Sequence, residues 1–277
     1  MLRLFVRNTV AIAVGAALSL PALAIDITIG ASRDATIYQN PPNNPSGPNV
    51  NNSNGAGPVL FAGTNGQNAP SRGLLDFDVA GAVPAGAKID SAQLTMYLGQ
   101  VAGSGGGGSG GGDTTPRTIE LHTLTNNWGE GITGQGAAVG SGGQGFPANT
   151  GDATWNARLF PDTLWTTPGG DFATSASSST LVDNVINNPF TWFSTPALVG
   201  DVQGWLDSPA NNFGWAVINA AETTPRDFRA FYTHDFSDAA LRPALQISYT
   251  LVPEPETYAM FLAGLGLLGW RIRNARS

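Results

Sequence analysis

Polar and apolar residues alternate most strictly over residues 91–98, where Ala92, Leu94, Met96 and Leu98 fall on one side and Gln93, Thr95 and Tyr97 on the other. A period of two gives each face of a strand its own set of side chains, so this segment reads as a half-buried β-strand. Leu245, Ile247, Tyr249 and Leu251 repeat the pattern near the end of the chain. Less regular apolar runs predict further strands over 35–38, 59–62, 73–79, 118–124, 213–218 and 228–232. Two segments break the rule of two. Over 179–187 and 198–206, Leu181, Val185, Val199, Val202 and Leu206 recur at roughly helical spacing and predict two short helices, the second stopped by Pro209.

The connections carry as much information as the strands. With 36 glycines and 19 prolines among many Asn, Ser and Thr, the chain is rich in turns, which favours many short strands. Residues 40–57 read as a long exposed Asn- and Pro-rich connection, and 103–112 as a flexible glycine tether. Residues 128–170 differ, because Trp128, Phe146, Trp155, Phe160 and Trp165 stand among glycines and polar residues. They predict a large, semi-ordered loop region packed on one face of the fold. The expected class is all-β: a single jelly-roll-like antiparallel β-sandwich with long Gly/Asn-rich loops. The chain has no cysteine, so neither disulfides nor thiolate metal sites can staple it.

Both ends depart from this composition. Arg3 and Arg7 precede an apolar run over 10–20, and Ala22 and Ala24 place small residues where a signal peptidase cuts. A signal helix over 1–24 is expected, with cleavage after Ala24. The body then spans 25–251, long enough for one substantial core. The tail, 252–277, has three parts in order: the rigid polar triplet Pro253, Glu254 and Pro255, an uncharged run over 258–270, and the arginines Arg271, Arg273 and Arg276. The prolines keep the triplet extended, and the arginines favour the cytoplasmic face, so the run would insert with its C-terminus inside. The run is shorter than the roughly 20 apolar residues of a stable span, which predicts a short, transient membrane helix rather than a lasting anchor.

This order resembles the PEP-CTERM sorting signal of Gram-negative bacteria. The resemblance implies an exosortase that cleaves near Pro253, Glu254 and Pro255 and passes the protein to the outside, after transient contact with the inner membrane. The body shows a second resemblance. Arg72-Gly73-Leu74-Leu75-Asp76-Phe77-Asp78, Pro84-Ala85-Gly86-Ala87-Lys88-Ile89, Asn127-Trp128-Gly129-Glu130-Gly131, Gly151-Asp152-Ala153-Thr154-Trp155, Asp201-Val202-Gln203-Gly204-Trp205-Leu206, Asn212-Phe213-Gly214-Trp215 and Arg242-Pro243-Ala244-Leu245 resemble, in order, DNRLRE-type domains. Those are jelly-roll sandwiches related to carbohydrate-binding modules. The Ser-Arg-Glu element of that family is replaced here by Thr233-His234-Asp235, so a role resting on the Arg-Glu pair does not carry over.

Charge narrows the partners. The chain has 13 Lys and Arg against 20 Asp and Glu, for a net charge of −7. An acidic body without a basic run excludes nucleic acid as a natural partner, because phosphate binding draws on Lys and Arg.

Candidate chemistry is sparse. Asp76 and Asp78 flank Phe77 and would share one face of a strand, about 7 Å apart, a separation an inverting glycosidase could use; solvated aspartates on an outer face are the plainer reading. Glu130, between two glycines, is free to act as an acid, yet no partner for it is evident. His122 and His234 stand far apart, without a nucleophile elbow or zinc spacing, and read as structural. Asp34, Asp76, Asp78, Asp152 and Asp171 are available to one structural calcium. Sugar rings stack on exposed indoles, which makes Trp128, Trp155 and Trp165 the candidate glycan-stacking residues, with Trp192 also near a loop. Trp205 and Trp215 lie in apolar patterned segments and read as core.

No catalytic residue or resident cofactor is expected. The chain reads as an exported, non-enzymatic protein of the cell surface or the exopolysaccharide biofilm matrix, structural or glycan-associated. The rivals are a secreted polysaccharide-degrading enzyme using Glu130 or Asp76 and Asp78, and an adhesin for another surface protein.

Overall fold

A computed structural model describes residues 23–103, 112–252 and 255–275. Arg3, Arg7, the run 10–20, Ala22, most of the glycine tether, Pro253, Glu254 and Arg276 lie outside the described residues.

In chain order the strands are β1 (Ala24–Gly30), β2 (Arg33–Tyr38), β3 (Asn52–Asn54), β4 (Val59–Thr64), β5 (Pro70–Asp76), β6 (Lys88–Val101), β7 (Arg117–Thr123), β8 (Phe146–Pro147), β9 (Ala157–Leu159), β10 (Thr163–Leu164), β11 (Ser178–Val182), β12 (Pro189–Trp192), β13 (Trp215–Asn219), β14 (Arg229–Tyr232) and β15 (Ala244–Thr250). The helices are α1 (Val79–Ala82), α2 (Pro196–Asp207) and α3 (Pro255–Asn274). Thirteen strands form one antiparallel sheet with the path β1-β15-β6-β14-β4-β5-β13-β7-β11, from which β12 branches at β6 and β2, β3 and β8 branch at β5. β9 and β10 make a small separate ribbon in the loop region.

The sheet curls because strands far apart along this path share one core. Leu94 and Met96 of β6 and Leu245 and Ile247 of β15 pack in the same buried cluster as Ile119 and Leu121 of β7 and Trp215 and Val217 of β13. β6 makes the turn possible by its length: residues 88–95 pair with β15, and 98–101 pair with β14. This mostly β, curled antiparallel arrangement is in keeping with the expected sandwich. The strictly alternating segments are borne out as β6 and β15. The expected strand over 73–79 stops at Asp76, after which the Asp78 carboxylate caps α1 by accepting from the Gly81 N–H.

One of the two expected internal helices forms. α2 starts at Pro196, a residue whose fixed φ suits the first helical position, and the Thr195 hydroxyl accepts from the Leu198 N–H at 3.0 Å. Leu198, Val202, Trp205 and Leu206 then line its buried side against the core. The expected helix over 179–187 does not form: residues 178–182 make strand β11, paired with β7 from Ser178↔Leu121 to Val182↔Arg117, and 183–187 are irregular. Leu181 and Val185, which suggested the helical period, are exposed, while Val182 enters the core. Pairing at the open edge of β7 outweighs the weak helix preference of a Ser-Ser-Thr run.

Opposite the main core, β2, β5 and β13 present Ala35, Ile37, Leu74, Ala216 and Ile218 outward, and these are covered by Leu124, Trp128, Ala153, Trp155 and Trp165. The loop region over 128–170 is thus packed on one face of the sheet, as its spaced aromatics suggested.

Candidate functional site

The C-terminal tail forms α3 over Pro255–Asn274. From Leu262 onward its described residues are exposed, including Leu262, Leu267 and Trp270. Arg271 and Arg273 lie in the last turn, where positive charge complements the helix dipole. Among the described residues, no helix is long and apolar enough to cross a membrane.

The loop tryptophans are not the open stacking platform expected of them. Trp128, Trp155 and Trp165 are 1%, 5% and 4% exposed, so none offers an open ring face on which a sugar can stack. Two of the polar edges are also engaged: Trp128 Nε1–H donates to the Phe213 carbonyl and Trp165 Nε1–H to the Thr154 carbonyl, both at 2.9 Å. Arginines cover two of the rings, Arg33 lying 4.4 Å from the Trp128 centroid and Arg72 4.8 Å from that of Trp155. The physical cause is that β2, β5 and β13 have an apolar outer face, which only large side chains from the loop can shield. Trp192 is also buried, and Trp205 and Trp215 pack at 4.4 Å within the core.

The carboxylates separate in the same way. Asp76 accepts from Arg33 Nε–H at 2.8 Å, and Asp78 caps α1, so the two do not share a strand face. Asp152 accepts from the Thr133 hydroxyl and the Asn149 N–H, and Asp171 accepts from Asn126, Thr166 and Thr167. These four aspartates serve separate local networks and do not gather around one calcium. His122 is held between the Ala173 carbonyl at 2.8 Å and Glu120 at 3.2 Å.

Asp34, Glu130 and His234 do converge. β2 supplies two adjacent grips. Arg33 donates to the Trp128 carbonyl at 2.7 Å and to Asn127 Oδ1 at 3.0 Å, which fixes the loop just before Glu130. The next residue, fully buried Asp34, uses its backbone N–H to donate to Glu130 Oε1 at 2.7 Å. Gly131 lets the loop turn there with φ +70, and a Cβ at that position would collide with the Asp152 carboxylate. The third side chain follows β14. Thr233 anchors the chain through its hydroxyl to the Gly57 carbonyl at 2.7 Å. His234 then meets Asp34 Oδ2 through its backbone N–H at 2.8 Å and through Nδ1 at 3.0 Å, and its Nδ1 lies 3.4 Å from Glu130 Oε1. On the other side of the ring, Nε2 is 3.7 Å from Asp235 Oδ1.

The hydrogen bond to Asp34, with the charges of Asp34, Glu130 and Asp235, pushes the His234 imidazole up to about 9. Burial pushes Glu130 up to about 7, against the pull of the Asp34 N–H and the His234 charge, while the negative charges of Asp34 and Asp235 reinforce it. Burial also raises Asp34, against the opposing pull of His234. Among the described residues, this is the group whose imidazole and carboxylate atoms lie close enough, within 4.8 Å of one another, to ligate one ion. Glu130 stood out in the sequence, but its partners come from positions 96 residues before it and, through Asp34, 200 residues apart, so no local spacing announces them.

Residues 251–276 match the PEP-CTERM protein-sorting motif. That motif implies export through an exosortase to the surface or the exterior. No curated protein matches its sequence significantly.

Proposed function

We propose that the β body is a non-enzymatic structural or interaction module of the cell surface or extracellular polysaccharide matrix, built on the jelly-roll plan. The observation that carries this reading is the junction at Thr250, where β15 ends and the sorting motif begins at the next residue. The fold is therefore presented directly on its export signal. α3 supports only transient membrane contact in this scheme, its apolar side chains entering the interface while Arg271 and Arg273 stay among the headgroups. The non-enzymatic role is supported by the fate of the aspartates, since Asp76 is tied to Arg33 and Asp78 caps a helix. With the indoles buried, glycan contact falls to polar loops. A depression of about 500 Å³ lined by Gln39, Pro42, Val50, Trp155 and Asn156 offers the Gln39 and Asn156 amides for hydroxyls beside apolar side chains.

The test is replacement of Pro253, Glu254 and Pro255 by alanine in the native host, followed by intact mass spectrometry of envelope and medium fractions. The expected product is an unprocessed precursor retained with the cell envelope. Normal processing and release of the triple variant would overturn the reading.

A further inference from the structure

We propose that Asp34, Glu130 and His234 form a binding site for one divalent cation of the zinc class, joining β2, the loop after Trp128 and the segment after β14. The distances suit such an ion. Donor atoms about 2.1 Å from a tetrahedral metal lie about 3.4 Å apart, and closer at narrower angles. His234 Nδ1 is 3.0 Å from Asp34 Oδ2 and 3.4 Å from Glu130 Oε1, and the three donor atoms all lie within 4.8 Å of one another, so small side-chain rotations bring them around one ion.

The donors around the cluster agree with this arrangement. Backbone N–H groups orient both carboxylates, that of Asp34 toward Glu130 and that of His234 toward Asp34. An imidazole that ligates through one nitrogen commonly directs its other N–H to a carboxylate, and Asp235 stands on the Nε2 side at 3.7 Å. A separate observation is that Asp34 Oδ1 is buried with no hydrogen-bond partner, although the residue is fully enclosed. An uncompensated buried carboxylate oxygen is costly, and bidentate coordination would satisfy it.

The ligand set selects the ion. An imidazole nitrogen favours zinc, cobalt or nickel over calcium and magnesium, which prefer all-oxygen shells. His234 and Glu130 remain about one-quarter exposed, which leaves room for water to complete the coordination. The chain has no cysteine, and an ion here would supply the long-range tie that a disulfide cannot.

The untagged full chain, stripped with EDTA, is titrated with Co²⁺ and followed by its visible absorption, then with Zn²⁺ as competitor; thermal unfolding is recorded with and without Zn²⁺. The expected result is uptake of one Co²⁺, displacement by Zn²⁺ but not by equimolar Ca²⁺, and a higher melting temperature with Zn²⁺. Glu130→Gln and His234→Gln should each weaken Co²⁺ binding more than tenfold. Wild-type protein that takes up no Co²⁺, displacement by equimolar Ca²⁺, or wild-type affinity in both variants overturns the proposal. If His234→Gln does not fold, Glu130→Gln and the wild-type titration decide.

Discussion

The Arg33 guanidinium lies 4.4 Å above the Trp128 ring while donating to the Trp128 carbonyl at 2.7 Å, so one residue of β2 holds both the side chain and the backbone of the covering loop. The indole expected to meet a ligand is thereby part of the fold.

Trp128→Ala should accordingly act on stability. Removing a buried Trp from a packed cluster costs about 3–5 kcal/mol, and the cluster here includes Leu74, Trp155 and Ile218. Urea denaturation checks this. A loss below about 1 kcal/mol would mean that the indole rests on the sheet without packing into it.

Arg229 is fully buried and donates to Asp113 Oδ2 at 3.1 Å and to the carbonyls of Asp183 and Thr115 at 2.8 and 2.6 Å. Asp113→Ala leaves that guanidinium without its nearest carboxylate and should destabilise the protein by about 3 kcal/mol. Arg229→Met with Asp113→Ala should cost less than the two single changes added together. Strict additivity in denaturation midpoints would refute the coupling.

Asp227 gives a pH dependence. Its Oδ1 accepts from the Thr64 N–H at 2.7 Å, and burial pushes its carboxyl from the ordinary 3.8 up to about 6, with Asp113 opposing and Arg117 and Arg229 favouring ionisation. Because the folded state holds this proton more tightly than the unfolded chain, its contribution falls as pH rises from about 4 to about 6 and stays lost above that. The stability difference between wild type and Asp227→Asn, measured at several pH values, should therefore shift in favour of Asn across this window. A difference independent of pH would mean that the carboxyl titrates normally.

What could be read from the chain followed from how locally each signal is encoded. β6 and β15 were legible because one face of each meets the core, and that face recurs every second residue. β11 was misread because Leu181 and Val185 are both exposed, so their four-residue spacing reflects no buried face. The tryptophans of the 128–170 region correctly indicated a loop packed on the sheet, but residue type alone could not say that the outer face of β2, β5 and β13 would consume their rings. The Asp34, Glu130 and His234 cluster was least legible, since it exists only after Arg33 has drawn the loop onto β2 and Thr233 has fixed the segment after β14.

The pairing of β1 with β15 runs in register from Ala24↔Thr250 to Gly30↔Ala244, and β15 also pairs with β6. A chain crossing a membrane from its N-terminus delivers β1 and β6 early, yet both must wait for β15, leaving the sheet with a gap between them. That gap can close only once the chain has emerged as far as Thr250, and the sorting motif begins one residue later. Completion of the fold and arrival of the address at the membrane are therefore nearly one event. A chain cut short upstream would lack both the closing strand and the tag, so presentation of the tag certifies that every strand has already been delivered.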